Sequence, residues 1–255
     1  MNILVCVKQV PDDYAEIRLG ADGKPATAGV DIVNNAFDTY ALELAVRFCE
    51  ANGGSVTAVT IGSEGAQSGL KNLLAVGANK AYLCTANGEA DERGTAARLA
   101  QAVELCQEQD GVTYDLILCG KESTDEIGSQ VGAMLAERLG TAFVSSVVEA
   151  EPSGDGLKVR QETEEGGVIY ETATPAVLTI AKPAYDPRYP NIKTKMAARK
   201  ATIPVLALTA EEPVLVSCAG YSEPPKRQAG VVIQEKEAAE AVKKAVAMMA
   251  EANVL

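Results

Sequence analysis

Tyr114 to Gly140, YDLILCGKESTDEIGSQVGAMLAERLG, decides the fold. Leu116–Cys119 reads as a short buried strand. A loop of polar and small residues follows. The spacing then predicts a helix over Ile127–Leu139, opening on Gly128-Ser129-Gln130, apolar at Val131, Met134 and Leu135, and stopping at Gly140. A strand that ends, turns and enters a helix presents free backbone N–H groups and a positive dipole end at the strand's carboxyl edge. That arrangement binds anions.

Working outward, the same alternation recurs. Ile3–Val7, Ser55–Ile61 and Ala78–Cys84 are apolar runs of strand length. Between them lie helical patterns over Thr39–Asn52 (Asp38 as N-cap), Glu64–Val76 and Arg93–Gln109. Strands alternating with helices predict a parallel sheet in an open α/β fold. Two regions depart from it. Pro11–Phe37 is too long for a simple connection, and Ala15–Leu19 followed by Ala21-Asp22-Gly23 predicts a small hairpin. After Thr141 the period becomes two. Val144–Glu151, Leu157–Glu162 and Val168–Thr172 read as antiparallel strands, and Ala176–Ile180 as a last apolar strand. The basic, proline-containing stretch Lys182–Lys200 carries no predicted element. From Pro204 an arm runs to a helix over Glu235–Ala252. The expected division is therefore a domain over 1–203 and an arm over 204–255.

Composition narrows the function. The chain has 255 residues, 47% hydrophobic and 4% aromatic, with a net charge of −12. It lacks the basic footprint that nucleic acid requires. It has no apolar run of membrane-spanning length. It has no histidine, which excludes a Ser-His-Asp triad and any Cys/His zinc site. Cys6, Cys84 and Cys119 fall in predicted strands, and Cys49 and Cys106 in predicted helices. With Cys218 they form no C-x-x-C pair, and they read as thiols of a reducing, cytoplasmic compartment. No metal site and no catalytic side chain is expected.

Three stretches could hold a ligand. In the loop after Cys119, Gly120 and Gly128 allow close backbone approach. Lys121, Ser123, Thr124, Ser129 and Gln130 add donors, and Asp125 can cap a helix or bind a ribose hydroxyl. Neither the dinucleotide fingerprint nor the P-loop motif is present. At the end of the first strand, Lys8 can meet a phosphate or stand as a solvated charge. Asn34-Asn35-Ala36-Phe37-Asp38, just before a helix, can hold an adenine through backbone groups, or Asp38 can merely cap. The basic run Lys182, Arg188, Lys193, Lys195, Arg199 and Lys200 reads as a docking surface for an acidic partner, or as solvated charge.

The segments ILVCVKQVPD, NNAFD, LLAVGANKA, DLILCGK with SQVGAMLAE, TPAVLTI and DPRYPNIKTKMAARK, in this order from Met1 to about Pro204, resemble the electron transfer flavoprotein beta subunit. The resemblance implies a Rossmann-like α/β fold of the adenine-nucleotide-binding type with an antiparallel hairpin addition and a C-terminal arm. It implies a heterodimer with an alpha subunit whose FAD passes electrons between dehydrogenases and an acceptor such as a quinone reductase. The beta site then holds either AMP or a second FAD, the latter in electron-bifurcating members that oxidise NADH. VCVKQVPD and KMAARKATIP are similar to such members, so FAD is the reading adopted and AMP the alternative. Carried over by position, cofactor contacts fall on Cys6, Asn35, Ala36, Phe37, Asp38, Ile61 and Gly120 through Val131, and partner docking falls near Ala184 and Tyr185. Two departures stand out. Where the family has A-I-D-[GD]-D, this chain has Ser123-Thr124-Asp125-Glu126-Ile127, and Ala184 replaces a larger apolar anchor. A non-redox adenine-nucleotide module and an ATP-pyrophosphatase-type enzyme are the rival readings. The latter lacks its S-G-G-x-D-S signature here.

Overall fold

The computed structural model describes residues 1–226 and 229–254, so residues 227, 228 and 255 of the arm lie outside the described residues. Eleven strands and six α-helices follow one another as β1 (Asn2–Cys6), β2 (Gln9–Pro11), β3 (Ile32–Asn34), α1 (Ala36–Asn52), β4 (Ser55–Ile61), α2 (Gln67–Val76), β5 (Lys80–Thr85), α3 (Glu92–Asp110), β6 (Leu116–Gly120), α4 (Val131–Leu139), β7 (Ala142–Ser153), β8 (Gly156–Thr163), β9 (Gly166–Ala173), β10 (Ala176–Ile180), α5 (Ile192–Lys200), β11 (Val205–Ala207) and α6 (Ala238–Glu251).

Nine strands form one sheet in the order β11-β5-β4-β1-β6-β10-β7-β8-β9. Pairing is parallel from β11 to β7 and antiparallel across β7-β8-β9. This is the expected α/β architecture with its antiparallel addition. Because side chains alternate across a strand, β1 feeds two cores. Ile3, Val5 and Val7 pack with α1 and α2 on one face. Leu4 and Cys6 pack with α3 and α4 on the other. Helices on both faces explain why the central strands are apolar throughout. Gly111 and Gly140 end α3 and α4 in the left-handed conformation, where a side chain would be strained.

The chain travels from β1 outward to β4 and β5, then returns across the sheet to β6 on the other side of β1. Connections diverge above that pair, and in open α/β sheets the crevice at such a reversal, here the carboxyl ends of β1 and β6, is where ligands bind.

Four local expectations are corrected. The predicted hairpin tip at Ala15–Gly23 is only a turn with one isolated bridge between Leu19 and Pro25; the two-stranded sheet lies at the base of the excursion, where Gln9–Pro11 pairs with Ile32–Asn34. The basic stretch contains a helix, α5, begun by a reciprocal capping box between Asn191 and Thr194. The arm begins as a strand, with β11 pairing along β5. Helix α4 starts at Val131 rather than Ile127, because Ile127 and Ser129 adopt positive φ values of 53° and 54° that cannot propagate a right-handed helix.

At the amino-terminal side of the sheet, the Asp110 carboxylate, its side chain 3% exposed, collects Lys80 Nζ, Tyr82 OH and Tyr114 OH at 2.7 Å each, and Thr57 Oγ1 at 3.1 Å. Burial pushes this carboxyl up, but the four donors outweigh it and hold it below the usual range. Its contribution is therefore present above the unfolded-state value near pH 3.9 and is lost as pH falls through the lower native value. Asp110→Asn is expected to cost ~1–3 kcal/mol at pH 7. Urea unfolding across a pH series should show the gap to wild type closing in acid.

Candidate functional site

The crevice is built around Asp38, buried in the first turn of α1. Its Oδ2 accepts the Lys8 N–H at 2.7 Å and its Oδ1 accepts the Gly120 N–H at 2.8 Å. One carboxylate thus fastens the chain just after β1 to the end of β6. Asn35, 1% exposed, completes the frame. Its backbone N–H donates to Lys8 O, its Nδ2 donates to Glu122 O at 2.8 Å, and its Oδ1 accepts the Thr124 N–H at 3.1 Å. The N-terminus of α1 therefore holds Gly120–Thr124 from below. Gly120 is obligatory for this approach: a Cβ there would collide with the Asp38 carboxylate and lie 2.7 Å from Phe37 Cβ.

The second half of the loop is held differently. Lys8 Nζ donates to Ser123 Oγ at 3.3 Å, and to Asp125 Oδ1 and Glu126 Oε2 at 2.9 Å each. Ser129 Oγ donates to Glu122 Oε2 at 2.6 Å. Ile127, 65% exposed, and Ser129 occupy left-handed backbone positions, each costing ~1–2 kcal/mol in an L residue. Gln130 precedes α4 without capping it through its side chain, and no acidic residue sits in the first turn. The start of α4 thus keeps its positive end and amides free of side-chain caps. Among the described residues, Thr124 Oγ1 is a buried hydroxyl without a hydrogen-bond partner.

The residues expected from sequence fall as follows. Cys6 ends β1, Ile61 ends β4 and Gly120 ends β6 at the same edge of the sheet. Asn35 to Asp38, Lys8, and Lys121 through Val131 surround the reversal between β1 and β6. Cys6 and Cys119 lie at neighbouring positions of β1 and β6 on one face, and the hydrogen bond with Cys119, then burial, raises the Cys6 thiol well above its ordinary value. Gly128 faces α3: a Cβ there would come 3.2 Å from Glu92 Oε1.

The docking residues separate into two groups. Arg188 is a fastening. It donates in fork fashion to Glu43, whose side chain is 2% exposed, and to Glu50, tying Asp186–Pro190 to α1. Burial pushes the Glu43 carboxyl up, but Arg188 and Arg47 hold it below the usual carboxylate range. Tyr185 stacks under Arg47, whose Cζ lies 4.2 Å from the ring centre. Ala184, Lys193 and Lys195 are exposed. Beside them Tyr189, Ile192 and Met196 expose apolar surface that sequence reasoning missed. It also missed Glu43, although a carboxylate between Leu42 and Leu44 on the buried stripe of α1 signals an interior ion pair.

These features define an open, doubly wound α/β protein with its crevice at the strand reversal. The sequence profile of the electron transfer flavoprotein domain matches residues 25–211. Over 248 residues the chain is 34% identical to the electron transfer flavoprotein subunit beta of Megasphaera elsdenii, covering 92% of each. It is 41% identical over 196 residues to that of Thermoanaerobacterium thermosaccharolyticum, covering 76% of this chain and 73% of the relative. It is 29% identical to that of Bacillus subtilis over 262 aligned residues, end to end in both. The chain belongs to the electron transfer flavoprotein family.

Two outcomes test the frame. Burial pushes the Asp38 carboxyl up to about 6 against the opposing pull of the Lys8 and Gly120 amides. The native state therefore keeps that proton to higher pH than the unfolded chain. The linked stabilisation is complete below about pH 4 and is lost as pH rises through 6, a component on the order of 2–3 kcal/mol. Denaturant titrations should show this slope in wild type and not in Asp38→Asn. Gly120→Ala is expected to destabilise by ~1–3 kcal/mol, read as a lowered unfolding midpoint.

Proposed function

We propose that this chain is the beta subunit of a heterodimeric electron transfer flavoprotein and holds an adenine-bearing cofactor in the crevice between β1 and β6. The observation that carries the reading is the loop Gly120–Gln130, pinned by Asn35 and Asp38 beneath an uncapped helix start and containing a buried hydroxyl, Thr124 Oγ1, left without a partner. Free amides at a helix start without a side-chain cap fit a phosphate-bearing ligand.

In this reading the amides around Ser129–Val131 take the phosphate oxygens, and Ser123, Thr124 and Gln130 add hydroxyl and amide donors. Asp125 meets a ribose hydroxyl once released from Lys8. Cys6, Ile61 and the segment Asn35 to Phe37 form the wall for the adenine. The cofactor is FAD, with AMP as the alternative. When bound, FAD supplies the redox chemistry, with NADH as a possible electron donor. The protein's part is to bind, orient and exclude water, consistent with a chain that has no histidine.

The partners are an alpha subunit and, through it, a dehydrogenase or quinone reductase. Residues 204–255 act as the arm that reaches the alpha subunit. Residues 209–216 are strapped to the domain: Gln101 accepts the Thr209 and Ala210 N–H groups, Glu212 pairs with Arg93 and Arg138, and Asp91 accepts the Leu215 and Val216 N–H groups. Beyond them α6 has no buried residue and presents Val242, Val246 and Met249 along one stripe. Lys193 and Lys195 on α5 offer positive charge to an acidic partner face. No helix among the described residues is long and apolar enough to cross a membrane. The location proposed is the cytoplasm, on the reading of the cysteines as thiols of a reducing compartment.

Co-production with the alpha subunit, followed by counting flavin and AMP per heterodimer, tests the reading. Two flavins are expected; one flavin plus AMP would select the alternative. A heterodimer with neither nucleotide beyond the alpha subunit's own flavin would overturn both. Lys193→Glu with Lys195→Glu should slow electron delivery several-fold at low ionic strength, as read by stopped-flow reduction of the acceptor. An unchanged rate would make the basic run a solvated surface.

A further inference from the structure

Ile3, Leu4 and Val5 of β1 pair in register with Leu116, Ile117 and Leu118 of β6. One step further along both strands, Cys6 stands beside Cys119. Their backbones are therefore about one strand spacing apart, ~4.8 Å. That lies inside the range of about 4.4–6.8 Å over which two cysteine side chains can be bridged. Both side chains belong to the α3–α4 face of the sheet, and the Cys6 thiol is hydrogen-bonded to Cys119. Neither residue is sealed off. Cys6 is 6% and Cys119 7% exposed, at the carboxyl ends of their strands. The other pair of thiols in contact, Cys84 and Cys106, is 0% exposed. The thiols of Cys49 and Cys218 donate to the carbonyls of Met1 and Gly220.

Three constraints define what the Cys6–Cys119 pair can hold. The chain has no histidine, and among the described residues no third acidic or thiol side chain joins the two sulfurs as a ligand. A metal that needs four ligands, such as zinc, is therefore unmatched. Burial and the nearby Asp38 both oppose negative charge on Cys6. A soft monovalent cation would leave a negatively charged bis-thiolate there, and a buried charge without a partner is costly. The sulfurs are also in contact, whereas a linear two-coordinate ion holds its sulfurs on opposite sides. A trivalent arsenic centre meets all three constraints. It needs only two thiols, takes both on one side of a pyramid, and leaves a neutral product.

We propose that Cys6 and Cys119 form a dithiol site for trivalent arsenic, which bridges β1 and β6 at the edge of the crevice. Arsenous acid exchanges two of its hydroxyls for the two sulfurs. Two As–O bonds and two S–H bonds break, two As–S bonds form, and two water molecules leave. Arsenic stays trivalent, sulfur is not oxidised, and no proton is exchanged with solvent. The third hydroxyl remains on arsenic. The site stands apart from the nucleotide reading, since it needs only the two thiols.

The test uses the full chain, reduced and then freed of reductant without air. Dialysis against arsenite at neutral pH, with bound arsenic counted by atomic emission, should give one arsenic per wild-type chain, released by an excess of a small dithiol. Cys6→Ser and Cys119→Ser should each weaken binding about tenfold or more, because a lone thiol loses the second, intramolecular bond. Cys84→Ala and Cys218→Ser should bind as wild type does. Arsenite should raise the melting temperature of wild type, since it binds the native pair alone, and leave that of Cys6→Ser unchanged. Peptide mapping of wild type treated with phenylarsine oxide needs no variant, and should place the bridge between the peptides carrying Cys6 and Cys119. Wild type that retains no arsenic would overturn the proposal. So would binding that survives both serine variants, or a bridge that maps to Cys84 and Cys106.

Discussion

A single buried carboxylate organises this molecule. Asp38 accepts one amide from the chain just beyond β1 and one from the end of β6, so the two strands flanking the reversal of the sheet are joined at their carboxyl ends. The arrangement needs three things at once. A helix must begin directly beneath the strand ends, a residue without Cβ must stand at 120, and a short acidic side chain must lie in the helix's first turn. Asn35 extends the same logic by one turn of chain, converting a helix cap into a clamp on a loop almost ninety positions away. The backbone donors are satisfied in the interior, as they must be.

Electrostatics then divides the loop after β6. Its first half is held by the Asp38 carboxylate and by Asn35 at the start of α1. Its second half is held by Lys8 and carries two left-handed residues that are not glycine. The half that costs backbone strain is also the half fastened by solvent-accessible ion pairs, which are individually weak. Arg188 shows the contrast. Its partner Glu43 is nearly inaccessible, and such a pair is costly to break from one side. The basic segment near α5 is therefore firmly seated through Arg188, while Lys193 and Lys195 remain free of that work.

Much of the fold was legible in the sequence because its signals are local. Apolar runs located β1, β4, β5, β6 and β10, and the 3.6 spacing located α1 to α4 and α6. What was not legible depended on distant parts of the chain. Nothing around Ala176–Ile180 says that this strand inserts between β6 and β7, or that Val205–Ala207 pairs with β5. Helix α5 escaped because Ala198 is its one buried residue, so it has no apolar stripe to betray it, though Asn191 and Thr194 together offered a cap. The helix start was misplaced because Gly128, Ser129 and Gln130 have good entry chemistry, whereas Ile127 and Ser129 take positive φ. For the site, the positions of Asn35, Asp38, Lys8 and Gly120 were legible as a set. Their partners were not, since each reaches across the strand reversal.

The strand β11 has a bearing on how the chain can be shortened. It lies along the outer margin of β5, and Leu208 just beyond it is buried against the α3 side. A polypeptide trimmed before Val205 would leave the row of N–H and C=O groups on β5 without a neighbour, next to a hollow where Leu208 had been. Bare margins of that kind recruit strands from other molecules. The start of the tail thus shields this margin of the sheet from self-association.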